Sequence, residues 1–231
     1  MKKIILNSLF VALAFGINAQ DDVQSFDSFT KIDAATSVNI ELIESNEHKA
    51  EIWVENGDVE DLKLEQFGSR LKIKWDNNNG IWRSNRNRKA NIKLYYKDLT
   101  AISVSAGAKI EGTDMIRSSD FELSASSGGR VSIELKSNTV EVDVSSGGSA
   151  SVSGSSERLV VEASSGGNFK GSDLEASEVR ASASSGGNAR VWATDMLRAD
   201  ASSGGNVKYR GNPSKRDISS SKWSGGSVRS M

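Results

Sequence analysis

Three sets of residues could do chemistry. The first is serine. Ser-Ser-Gly-Gly occurs at 126–129, 145–148, 164–167, 184–187 and 202–205. A serine attacks only when a base takes its proton. The chain has one histidine, His48, in the polar stretch 44–49, and Gly-x-Ser-x-Gly is absent. These serines read as structural, and no catalytic residue is assigned.

The second set is acidic. Glu122, Glu141, Asp143 and Glu162 recur on the polar side of an alternating pattern. If the repeats stack, Asp143 and Glu162 lie on adjacent coils. Carboxylates so placed can do acid–base work on a polysaccharide, as lyase or hydrolase, or hold calcium. Asp143 and Glu162 are therefore the metal-site candidates, although no metal or other cofactor is expected. Arg180, Arg198 and Asp200 continue the same side, so a solvated ladder of charges is the plainer reading.

The third set joins two strand patterns at residues 76–89. It holds Trp82, Arg83, Arg86, Arg88 and Lys89 among asparagines. A ring that stacks and guanidinium groups that pair with anions suit a glycan, a lipid head group or an envelope protein. A plain hairpin loop is the alternative. Aromatic and basic residues also suit single-stranded nucleic acid, but compartment and charge argue against that partner. Asn168, Asn188 and Asn206 each follow a Gly-Gly and read as a structural ladder.

The elements behind these residues are strands. The tetrads recur at steps of 19, 19, 20 and 18 residues. Imperfect copies flank them, at 105–108 and 223–226, as the ends of a stacked array require. Before the corners stand apolar triplets at every second position: Phe121, Leu123 and Ala125; Val140, Val142 and Val144; Leu159, Val161 and Ala163. Such alternation marks strands with one buried face. After each corner it resumes, as at Val131 and Ile133. The glycines permit a sharp turn, and the second serine of each tetrad is expected to point inward and let the corner close. A helical period is absent, and a propeller blade needs about 40 residues. The expected fold is all-β: a single-chain parallel β-helix, or β-solenoid, with coils of about 19 residues.

Residues 20–104 lack the tetrad but keep alternation, as in Val38, Ile40 and Leu42 or Leu71, Ile73 and Trp75. They read as more irregular strands, either the opening of the same solenoid or a sheet capping it. A cap would protect an edge that otherwise invites aggregation. The expected divisions are a signal peptide at 1–19, irregular strands at 20–104, regular coils at 105–226 and a tail at 227–231.

Composition narrows the function. Lys2 and Lys3, the apolar run 4–17 and the small Ala19 form a cleavable secretory leader. No cysteine exists, which excludes disulfides and thiolate metal sites. Of 29 basic residues, loss of Lys2 and Lys3 leaves 27 against 30 acidic, a net charge of −3. That mild charge disfavours nucleic acid as the main partner.

Taken together, residues 26–226 resemble the head GIN domain family, a group labelled auto-transporter adhesins of unknown function. The resemblance rests on Phe29-Thr30-Lys31-Ile32 ahead of Ser37-Val38-Asn39-Ile40, on the segment from Leu99 through Val104 to Ala108, and on the Ser-Ser-Gly-Gly ladder. It implies a parallel β-helix in the cell envelope. The chain ends at Arg229-Ser230-Met231 with no amphipathic barrel pattern, so periplasmic residence is expected rather than autotransport. The expected function is a non-enzymatic, exported adhesin-like or scaffold protein. A purely structural envelope role is the other non-catalytic reading.

Overall fold

The computed structural model describes residues 22–76, 87–220 and 224–231. The leader at 1–19 and the loop residues Trp82, Arg83 and Arg86 lie outside the described residues.

The described chain is almost entirely strand. In order these are β1 (Asp22–Ser25), β2 (Lys31–Ala35), β3 (Val38–Glu44), β4 (Lys49–Glu55), β5 (Leu62–Phe67), β6 (Arg70–Trp75), β7 (Lys89–Tyr96) and β8 (Ala101–Ser105). Five long strands follow: β9 (Lys109–Ala125), β10 (Arg130–Val144), β11 (Ser149–Ala163), β12 (Asn168–Ala183) and β13 (Asn188–Ala201). The chain closes with β14 (Asn206–Arg210), β15 (Lys215–Ser220) and β16 (Ser227–Ser230). A 3₁₀ turn, Val59–Asp61, precedes β5.

The strands form a parallel β-solenoid of about seven turns. Two ladders share the long strands. One runs β1-β4-β7-β3-β9-β10-β11-β12-β13-β14-β16. The other adds β5, β6, β2 and β8 ahead of β9, and β15 beyond β13.

Register follows from the alternation. One inward column runs Ile32, Ile102, Leu123, Val142, Val161, Ala181 and Ala199 through successive pairings. All seven are buried. A slip of one residue would turn such a column to water. Large and small side chains interleave along the axis, with Phe169 lying between Ala150 and Ala189.

The corners explain the tetrad. At 145–148, Ser146 has φ 48° and Gly147 φ 74°. The Gly148 amide donates to the Ser145 carbonyl at 2.7 Å. Two successive left-handed residues closed by this bond make a type I′ turn. Ser127, Ser146, Ser165, Ser185 and Ser203 are exposed rather than inward, which corrects the expectation for the second serine. The buried member is the second glycine, where a Cβ on Gly148 would overlap the Ala125 carbonyl of the coil below. A left-handed serine costs about 1–2 kcal/mol. Stacking offsets this, because its carbonyl accepts from the preceding turn. Gly147, Gly166, Gly186 and Gly204 donate to Ser165, Ser185, Ser203 and Ser224 at 3.3, 3.2, 3.1 and 2.8 Å.

The earlier strands both continue and cross this stack. β2, β3 and β8 pair in parallel with the ladders, whereas the pairings β1–β4, β4–β7 and β5–β6 at the N-terminal end are antiparallel.

Candidate functional site

The acids do meet on one strand face. Asp143 lies opposite Glu162, and Glu122 opposite Glu141. Parallel neighbours stand about 4.8 Å apart. Small residues at Ala101, Ser103 and Ser124 leave a shallow depression of about 460 Å³ between these acids and Arg70 with Asp33. Arg70 donates twice to Asp33, at 2.9 and 2.8 Å. That carboxylate raises the Arg70 pKa through the hydrogen bond first and its charge second. Lys31 reaches Glu122 at 3.8 Å.

Glu122, Glu141, Asp143 and Glu162 are all exposed. A carboxylic acid that donates a proton near neutral pH is one sheltered from water, and none of these is sheltered. Among the described residues no group of three or more histidine, aspartate or glutamate side chains is placed to hold a metal ion. The face can attract a cationic or hydroxyl-rich ligand.

A second depression, of about 580 Å³, lies on the strands that follow the corners. Trp53 stands beside Asn91, Asn91 beside Asn39, and Asn39 beside Lys109. Asn39 donates to the Asn91 side chain at 2.9 Å, and Asn91 to Glu55 at 3.0 Å. Lys93 sits 5.8 Å from the Trp53 ring centre. A flat ring beside amides suits a sugar. The sequence shows Trp53 only as a residue flanked by Ile52 and Val54, with nothing to join it to Asn91 and Asn39. Its neighbours come from strands about 14 and 38 residues away along the chain.

Of the loop set, Arg88 and Lys89 are described, and Lys89 opens β7; Arg88 holds two contacts to the fold. Its guanidinium lies 4.8 Å from the Trp75 ring centre and donates to the Asp76 carbonyl at 3.4 Å. This side chain is thus tied to the fold at the base of the loop. His48 packs edge-on against Phe29, with centres 4.9 Å apart, and no serine hydroxyl among the described residues bonds its ring. Asn168, Asn188 and Asn206 stack in register. Asn188 and Asn206 donate to their own turns, at Gly186 and Gly204, by 3.0 and 3.1 Å. Near the N-terminal end, burial pushes the Tyr96 phenol up to about 12, with Glu44 and Asp114 adding to the effect.

Similar proteins agree with this architecture. A putative adhesin from Bacteroides fragilis NCTC 9343 superposes with a TM-score of 0.82 at 20% identity, over 91% of this chain and 95% of that one. A putative lipid binding protein from Parabacteroides distasonis ATCC 8503 gives 0.64 at 18% identity, over 93% and 98%. A putative adhesin from the same species gives 0.70 at 16%, over 91% and 95%. Identities this low establish a shared fold and nothing finer. No curated protein matches the sequence. No described helix is long and apolar enough to cross a membrane. Residues 28–213 match the family model described as "Putative auto-transporter adhesin, head GIN domain", and the chain belongs to that family.

Proposed function

We propose that this is a non-enzymatic protein exported to the cell envelope, resident in the periplasm, at the outer membrane or outside the cell. Its solenoid surface binds a glycan, a lipid head group or an envelope protein. One observation carries this reading: both depressions are open to solvent and are lined by charged and amide side chains on stacked strands. Such a surface recognises without transforming. The adhesin descriptions of the family and of two structural neighbours support it. The loop cations Arg83, Arg86 and Arg88, with Trp82, remain proposed contacts on sequence grounds.

The test is a glycan array with the protein lacking residues 1–19, run beside the Arg83→Ala, Arg86→Ala, Arg88→Ala triple variant. Each bound glycan is then incubated with the protein and calcium and analysed for cleavage. Binding without product is expected, weakened in the triple variant. Released oligosaccharide would move the function to the acidic groove of Asp143 and Glu162. No binding to glycan, lipid or envelope extract would leave a purely structural role.

A further inference from the structure

Four cations stand one above another on the strands that follow the corners. Lys170 lies opposite Arg190, Arg190 opposite Lys208, and Lys208 opposite Arg229. All four are exposed. None joins any ion pair found among the described residues. Elsewhere in the solenoid Arg158 meets Glu178 at 3.5 Å and Arg198 meets Asp217 at 3.8 Å, and like-charged neighbours such as Lys109 with Arg130, Arg117 with Lys136 and Arg180 with Arg198 come in pairs rather than in a run of four. Like charges placed directly opposite destabilise a sheet. This column therefore sets a local repulsion that a bound polyanion would relieve. At about 4.8 Å per step, the four charges form a straight row roughly 14 Å long.

The flanks narrow the ligand. On one side stand Asn168, Asn188 and Asn206 in register. Asn188 and Asn206 spend an amide hydrogen on their own turns and keep Oδ1 as an acceptor for a hydroxyl. On the other side, the Arg210 guanidinium lies 3.9 Å from the Trp192 ring centre and 3.6 Å from Asp173. The residues between the asparagine and cation columns, Phe169, Ala189 and Val207, are buried, so the column offers no apolar side chain to a bilayer. A single-stranded nucleic acid stacks on successive rings, and here one ring is already covered by Arg210.

We propose that this column binds a linear acidic polysaccharide laid along the solenoid axis, its anionic groups meeting Lys170, Arg190, Lys208 and Arg229 in turn. The proposal deepens the binding-module reading and rests on it. It places the contact on β12, β13, β14 and β16.

The experiment measures binding of polygalacturonate to the protein lacking residues 1–19, with dextran as the uncharged control. Two variants are compared. One is Lys170→Gln, Arg190→Gln, Lys208→Gln, Arg229→Gln. The other removes four cations elsewhere: Arg117→Gln, Arg158→Gln, Arg180→Gln, Arg198→Gln. Circular dichroism confirms that both fold. The expected result is binding to polygalacturonate and not to dextran, weakened about tenfold or more in the first variant and about twofold or less in the second. Raising salt from low to physiological strength weakens the wild-type contact strongly, as screening of exposed charges requires. Equal losses in both variants would overturn the proposal, since net charge alone would then explain binding. Tighter binding to phosphatidylglycerol vesicles or to single-stranded DNA would also overturn it. Glycan binding that survives in the first variant would remove the column and keep the binding module. A wild-type protein that binds no glycan, lipid or envelope extract would remove both.

Discussion

The irregular strands at 22–104 and the regular coils after them solve one problem by different means. Of the twelve largest fully buried side chains, ten belong to the first region, among them Trp75, Tyr96 and Phe29; the other two are Phe121 and Phe169. The first region fills its interior with volume. The coils instead use alanine and valine columns and let backbone geometry bring them together. Their corners repeat the same turn, with φ between 46° and 48° at the second serine of every full tetrad. Side-chain bulk closes one end of the molecule, and backbone identity propagates the rest.

That contrast can be broken at specific positions. Trp75 is 2% exposed and carries Arg88 on its face. Trp75→Ala should cost about 3–5 kcal/mol, read as a fall in the urea midpoint. Loss of hydrogen-exchange protection should be confined largely to β6, β7 and their neighbours. Protection lost evenly along the stack would mean the two regions are one cooperative unit.

Gly148→Ala tests the coils. The new methyl meets the Ala125 carbonyl, which belongs to backbone and cannot step aside. We expect about 3 kcal/mol of destabilisation, with protection lost first at β10 and β11. A wild-type melting curve would show that neighbouring coils can part without cost.

Alkali should act on the first region. An unfolded tyrosine titrates near about 10, whereas Tyr96 in the fold is pushed up to about 12. Its folded pKa is raised, so its contribution is intact below pH 10. As pH climbs from about 10 to 12, the unfolded state loses the proton first and gains stability. The fold should lose about 2–3 kcal/mol across that window. Urea midpoints at intervals through it measure the slope, and Tyr96→Phe should flatten the profile. An equally steep decline in that variant would assign the effect to other groups.

Gly147→Ala should have the smallest effect. Gly147 has φ 74° with open space around the missing Cβ. Only the left-handed penalty remains, about 1 kcal/mol. A loss as large as that of Gly148→Ala would contradict the division of labour between the two glycines.

Much of this was legible in the amino-acid order. Alternation at residues such as Val140, Val142 and Val144, together with the near-constant step between tetrads, points to stacked coils. A period of two admits only a strand with one buried side, and equal steps place equivalent residues in line. The pairing of Asp143 with Glu162 follows from the same arithmetic. The role of the second serine did not, because composition does not say which member of a tetrad takes the left-handed position and which lies under the next coil.

The sequence by itself determined the repeat, the inward columns and the order in which outward charges recur along the axis. Only the tertiary structure decided which outward residues become neighbours across the irregular strands: Trp53 with Asn91 and Asn39, or Arg70 with Asp33. The physical reason is register. Within the coils every pairing is a shift by one repeat, so the chain carries its own ruler. Among the early strands, antiparallel pairings and unequal connections set each shift separately, and packing around Trp75, Tyr96 and Phe29 selects it.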